Sequence, residues 1–260
     1  GGDMTLLIDA RPVENIAAFQ KVSEEMGHRR PGVLLTLAEF PANGTSRISR
    51  HWFSDFQPEG FPLTAGEEVK IQCLEMLQNN IPGEFRNIPV AGYGPGQAFV
   101  LLQSMAPPPL LFIAGAGHIG KAMAHLGKML GFEVTVWDYR PEFADPAQLP
   151  DANHVLCCQA EEIPVYLTAG KDTWVIIVTH GHRYDGDVLK HFIGSKAAYI
   201  GMIGSKAKVR QMKDHFISEG WATEEQWNRV YSPIGLGIGA KTVEEIAVAI
   251  AAQLIQVKYE

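Results

Sequence analysis

The chain has 260 residues, 46% of them hydrophobic and 20% charged, with 22 basic against 29 acidic side chains for a net charge of -7. That length supports one large domain or two small ones, each with a core. The basic residues are scattered, which excludes an electrostatic footprint for nucleic acid, and no apolar run approaches the roughly 18 residues of a membrane span. Three cysteines, Cys73, Cys157 and Cys158, are too few for a disulfide framework and fit a reducing, cytoplasmic setting.

In chain order, "GGDMTLLIDARP" lacks the basic region and long apolar core of a signal peptide, and its residues 4–10 read as a strand. Helical spacing follows in "VENIAAFQKVSEEMG", then a strand in "GVLLTLAEF". "PANGTSRISRHWFSDFQPEGFP" is rich in turn formers and reads as loop plus a short strand. A second helix, "GEEVKIQCLEMLQNN", and a strand, "GQAFVLLQSM", complete a small α/β domain. "APPPL" then marks a boundary, because three prolines stiffen the chain and donate no backbone hydrogen bonds. The division expected is a smaller domain over residues 1–106 and a larger one over 107–260.

Beyond the prolines, the apolar runs "LLFIAG", "EVTVWD", "HVLCC", "TWVIIVT" and "AYIGMIG" alternate with helical stretches. Runs apolar on both faces, separated by helices, predict parallel strands in a doubly wound sheet. Cys157 and Cys158 close one such run and read as small core hydrophobes, with one thiol near the crevice at the strand ends. The last helix, "TVEEIAVAIAAQLIQV", opens with Thr242 and Glu245 at capping-box spacing.

The first turn of this domain carries the chemistry. Gly115, Gly117 and Gly120 form G-x-G-x-x-G between a predicted strand and a predicted helix, and Asp138 closes the next strand. Gly115 permits the tight turn, Gly117 the approach of a pyrophosphate, and Gly120 close packing of helix on strand. The helix start, through His118 and Ile119, presents unpaired N–H groups to phosphates, and Asp138 suits a ribose hydroxyl pair. This is a Rossmann-like pattern, which predicts binding of NAD(P) or another adenine dinucleotide. Asp138 favours NAD over NADP, and Arg140, two residues on, blurs that preference. The alternative is a sheet whose glycines serve packing alone.

"VIIVTHGHRYD" sets Thr179, His180 and His182 just past the next strand, with Asp185 nearby. Ligands of open α/β sheets sit at that edge. His180, His182 and Asp185 are therefore the candidates for acid–base work, against a solvated or capping role. Two histidines without a third ligand make no metal signature, so no metal is expected. Gly201, Gly204 and Ser205 end the following strand ahead of Lys206, Lys208 and Arg210, a turn suited to a second anion or simply to packing. Gly235, Gly237 and Gly239 precede the last helix and either close over the crevice or pack.

These clusters, in this order, resemble the xanthine dehydrogenase accessory (XdhC/CoxI) family. The resemblance runs through "PPPLLFIAGAGHIGKAMAHLGKMLGFEVTVWDYRPEFA", "VTHGHRYD", "AAYIGMIGSKAK" and "SPIGLGIGAKTVEEIAVAI", nearly all of residues 107–254. Upstream, "GGDMTLLIDARP" and "RPGVLLTLAEF" resemble two strands of the family's first part. The resemblance implies a C-terminal Rossmann-like domain in a cofactor-handling accessory protein rather than a catalyst. It would bind molybdenum cofactor while the terminal sulfur ligand is installed, and pass it to a molybdenum hydroxylase such as xanthine dehydrogenase. A cysteine desulfurase is a further implied partner, and a homodimer the expected assembly. On this reading the glycine loop and Asp138 form the crevice, His180 and His182 match a T-H-x-H, and residues 201–205 a G-M-I-G-S. Two departures stand out. The family's cysteine-containing amino-terminal portion is not in this sequence, so the first domain reads as truncated. Gly237 stands where the family usually carries Asp. The competing readings are an NAD(P)-dependent oxidoreductase with His180 or His182 as proton donor, and a non-catalytic interaction module.

Overall fold

A computed structural model describes residues 7–42, 44–54, 61, 66–79, 85–90 and 97–260, with backbone alone at 79, 85, 87, 89 and 182. The chain forms two compact units, Gly1–Pro107 and Pro108–Glu260.

In the first unit, α1 (Ile16–Gly27) leads into β1 (Gly32–Glu39) and β2 (Arg47–Phe53); α2 (Gly66–Asn79), β3 (Phe85–Pro89) and β4 (Ala98–Met105) follow. The four strands make an antiparallel sheet in the order β2-β1-β4-β3. Val33, Leu35 and Leu37 alternate along β1 onto one face, where Val69, Cys73 and Met76 of α2 meet them at helical spacing. Burial pushes the Cys73 thiol up to about 12, so it packs as an inert hydrophobe.

One expectation changes here. Of the strand expected at 4–10, residues 4–6 lie outside the described residues, and Leu7–Asp9 form no strand. Asp9 instead takes the Arg11 backbone N–H and pairs with Arg50, a local polar turn that competes with strand pairing. The stretch read as loop plus a short strand does hold a strand, β2, seven residues paired in full with β1. Its arginines and histidine suit a sheet edge. β3 had no strand signal. It is short, ends on Pro89 and sits at the other edge, where a missing N–H is tolerated.

The second unit runs β5 (Leu110–Ala114), α3 (His118–Met129), β6 (Glu133–Trp137), β7 (His154–Leu156), α4 (Ile163–Tyr166), β8 (Thr173–Ile177), α5 (His182–Phe192), β9 (Tyr199–Met202), α6 (Lys206–Ser218), α7 (Glu224–Asn228), β10 (Val230–Tyr231) and α8 (Val243–Tyr259). Six parallel strands lie in the order β10-β9-β8-β5-β6-β7. The side chains of β5 show why both faces are covered. Leu111 and Ile113 face a core with Met123 and Ala124 of α3 and Ile250 and Leu254 of α8. Phe112 and Ala114 face the opposite core, with Val188, Leu189 and Phe192 of α5 and Phe216 of α6. This is the doubly wound parallel sheet read from the apolar runs.

The strand order fixes where a ligand can sit. From β5 the chain builds outward through β6 and β7, then crosses back to place β8 on the other flank of β5. The direction of winding reverses between β5 and β8, and the turns leaving the carboxyl ends of those strands part there to form a crevice. Cys157 and Cys158 lie beyond the short β7, and Cys157 is exposed, so the core reading applies only to Cys158.

Candidate functional site

The glycine loop lies at this switch point, and its three glycines differ in their surroundings. Gly115 has φ +116°, and a Cβ there would strike the Val178 carbonyl behind β8. A Cβ on Gly120 would fall on the Gly115 carbonyl oxygen, so α3 begins pressed onto its own turn. Gly117 is the opposite case: a Cβ would meet nothing within 4 Å. It is the N-cap of α3, and no side chain caps that helix. The first-turn N–H groups, which have no partner one turn back, face this opening. His118 is exposed there, while Ile119 packs against the core shared by α3 and α8.

Asp138, just past β6, is 2% exposed and joins the loop directly. Its Oδ2 accepts the Ala116 backbone N–H at 2.9 Å and Arg140 Nη2 at 2.9 Å. Its Oδ1 accepts Arg140 Nε at 2.9 Å and the Arg140 backbone N–H at 3.1 Å. Burial pushes this carboxyl up, but the Arg140 and Ala116 hydrogen bonds outweigh it and hold the group below its ordinary value. The Arg140 guanidinium lies over the Phe143 ring, 3.8 Å from its centroid. Next to it, Tyr139 stacks on Tyr184 of α5 with centroids 4.0 Å apart, spanning the end of β5. Phe143 and Tyr184 lie within the matching stretches, but their spacing assigns neither of them a role. Only the fold brings them to this edge.

Across the switch point, Thr179 follows β8. Its hydroxyl donates to Asp185 Oδ1 at 2.6 Å and its backbone N–H to the same oxygen at 3.2 Å. Asp185 is 2% exposed, and burial pushes its pKa up to about 6 against the opposing pull of the Thr179 bonds and Lys208. Asp185 therefore ties down the turn that opens α5. His180 is exposed on that turn. His182 begins α5, and its side chain lies outside the described residues. Gly181, with φ +107°, is the N-cap of α5 and, like Gly117, supplies no side-chain cap.

In the remaining glycine clusters Gly201, Gly204 and Gly235 are engaged locally, while a Cβ on Gly237 or Gly239 would meet nothing within 4 Å. Gly201 lies inside β9, where a Cβ would collide with Ile234 and the Tyr199 hydroxyl; it is a packing position rather than part of a turn. Gly204 sits against Val209, and Ser205 caps α6 by accepting the Lys208 N–H at 3.5 Å. Gly235 is bound to α8 through Gln253, whose side-chain oxygen accepts its N–H at 2.8 Å. Among the described residues, no three His, Cys, Asp or Glu side chains gather so that they could hold a metal ion. Unsignalled by sequence, a cavity of about 400 Å³ opens between α5 and α6, lined by Lys190, Lys208, Met212 and Trp221. It shares no lining residue with the glycine loop.

Residues 111–254 match the family described as the XdhC Rossmann domain, more than half of the chain. The chain belongs to the XdhC family. Among curated proteins, the uncharacterised YqeB of Escherichia coli K12 is 31% identical over 166 residues, which cover 64% of this XdhC chain and 30% of YqeB. A Bacillus subtilis protein, named as a probable xanthine dehydrogenase subunit, is 27% identical over 159 residues, covering 61% of this chain and 46% of that one. The match thus spans less than half of either relative. A crystal structure described as a xanthine dehydrogenase from Bacillus halodurans superposes with TM-score 0.64 at 21% identity, covering 92% of this chain and 63% of that one. The XdhC chain shares that fold. No helix among its described residues is long and apolar enough to cross a membrane.

Proposed function

We propose that this chain belongs to an accessory factor for a molybdenum hydroxylase of the xanthine dehydrogenase type, and that its crevice holds a dinucleotide or the molybdenum cofactor. One observation carries the ligand reading: α3 starts at the switch point on Gly117, with open space before it and no side-chain cap. Unpaired N–H groups and the positive end of the helix dipole suit a phosphate or diphosphate, which both ligand classes carry. The accessory role draws on membership of the XdhC family and on the name of the Bacillus subtilis relative. A xanthine dehydrogenase-type hydroxylase is then the partner, with a cysteine desulfurase as the source of sulfur. The oxidoreductase alternative has less behind it, since His180 is exposed on its turn and faces solvent.

The test has two arms. Calorimetry of the chain with NAD+, NADP+ and isolated molybdenum cofactor should return binding by at least one. Co-expression with a xanthine dehydrogenase-type hydroxylase should raise the hydroxylase's specific activity and yield a complex on co-purification. Unchanged activity together with no complex would overturn the accessory role, and steady hydride transfer to a small alcohol or acid would favour the oxidoreductase.

A further inference from the structure

At the end of the second strand of such a sheet, a carboxylate ordinarily faces the diol of the adenosine ribose. Here that carboxylate has no vacant acceptor site. A carboxylate offers about four lone-pair sites. Asp138 uses Oδ1 for the Arg140 backbone N–H and Nε, and Oδ2 for Ala116 N–H and Arg140 Nη2. A ribose hydroxyl could be accepted only by displacing one of these bonds, three of which are charge-assisted or come from a buried backbone donor.

The guanidinium is placed the other way. Arginine carries five N–H donors in a fixed fork. Two of them point at Asp138, which leaves three, on Nη1 and Nη2, directed away from the carboxylate. The plane is held on two sides: the two-point ion pair with Asp138 fixes its edge, and the Phe143 ring supports its face at 3.8 Å. Arg140 itself remains partly exposed, its side chain at 19% against 2% for Asp138. What the site presents outward is thus a preorganised cation, with the acid behind it as a buttress.

We infer that Arg140 forms a phosphate-binding subsite, and that the dinucleotide taken by this crevice bears a 2′-phosphate on its adenosine ribose. The inference rests on the dinucleotide reading above, and it reverses the NAD preference that Asp138 alone suggests from the sequence. A phosphate monoester supplies several acceptor oxygens to the free guanidinium donors and leaves every Asp138 bond intact. A bare diol can accept from the guanidinium only as a neutral partner, and its own O–H donors find no acceptor to spare. Asp138 acts here as a positioning residue, and Arg140 as the contact.

Calorimetry of the full chain with NADP+ and NAD+, and with adenosine 2′,5′-bisphosphate and ADP as fragments, separates the cases. NADP+ should bind roughly tenfold or more tightly than NAD+, and the bisphosphate should show the same preference over ADP. Arg140→Ala should erase that preference by weakening NADP+ while moving NAD+ little; Arg140→Lys, which keeps the charge but loses the fork, should fall between. Asp138→Asn should weaken NADP+ less than Arg140→Ala does. Equal affinities in the unmodified chain, or tighter NAD+, would overturn the subsite while leaving the dinucleotide reading standing. Binding of neither dinucleotide would overturn both. The comparison in the unmodified chain decides even if a variant fails to fold.

Discussion

The turn that opens α3 and the turns that open α6 and α8 are all glycine-rich, and by spacing each could cradle an anion. Their helix starts differ. Ser205 caps α6, and Thr242 with Glu245 closes a full capping box on α8, so those first-turn N–H groups already have protein partners. α3 and α5 begin on Gly117 and Gly181 with no side-chain cap, and they flank the switch point from its two sides. The lesson is that a glycine cluster becomes a binding site by what it leaves unsatisfied. Glycines count as a cradle only where neither a packed neighbour nor a capping side chain takes up the space and the donors.

That comparison can be broken in four places. The largest effect is expected at Gly120, where a Cβ would fall on the Gly115 carbonyl oxygen. Gly120→Ala should cost about 3 kcal/mol or more, lowering the melting temperature by roughly 6–12 °C in a circular dichroism melt. A shift under about 2 °C would mean the turn has room and is not pressed onto α3. Next comes Asp185, at the start of α5. Its folded pKa, about 6, lies above the ordinary carboxylate value, so the folded state holds its proton more tightly than the unfolded one does. The contribution of this group is therefore fullest below about pH 4 and declines as pH rises through 6, by on the order of 3 kcal/mol. Urea melts of wild type and Asp185→Asn should diverge across that window, with the wild type losing ground as pH rises. Parallel curves would place the carboxyl in a more solvated setting.

A smaller effect tests the opening itself. Gly117 has ordinary φ and free space for a side chain. Gly117→Ser should leave stability unchanged or raise it by a few tenths of a kcal/mol by supplying the missing cap. The same change should weaken dinucleotide binding about tenfold, since the new hydroxyl takes the N–H groups a phosphate would use. Unchanged affinity in calorimetry would move the ligand away from α3. The smallest effect is the converse, at α8. Thr242→Ala removes the cap there at a cost of about 1 kcal/mol, a melting shift of roughly 2–4 °C, without altering dinucleotide affinity. A loss of affinity would draw the 235–239 turn into the site after all.

Much of the second unit is legible along the chain. Its four inner strands, β5, β6, β8 and β9, are buried on both faces and so form unbroken apolar runs, and the capping box of α8 is written in adjacent residues. The first unit is less so. β2 is an edge strand with charged side chains, and β3 ends in proline, so neither carries the apolar signal that burial imposes. β10 has only two residues and exists because β9 offers it a pairing edge. The site divides the same way. Gly115, Gly117, Gly120 and Asp138 stand out by spacing, yet spacing treats Gly201 as their equal, although it is a packing position under Ile234. Tyr184 and Phe143 lie within stretches that carry the family resemblance, yet no spacing gives them a role, and only folding brings them to the crevice.

By itself, the order of residues determined the alternation of strands and helices, the glycine turn after β5 and the XdhC kinship, because each is a local pattern of burial, backbone freedom or motif order. Tertiary structure alone decided which uncapped helix starts meet where the strand order reverses and which way the Asp138–Arg140 pair faces. Those depend on groups that only folding brings together: the Ala116 N–H reaching Asp138, and Tyr184 stacked on Tyr139 beside the pair, with the Phe143 ring turned back under the guanidinium. Whether the edge of this crevice shows an acid or a cation is a property of packed neighbours, and no spacing of letters records it.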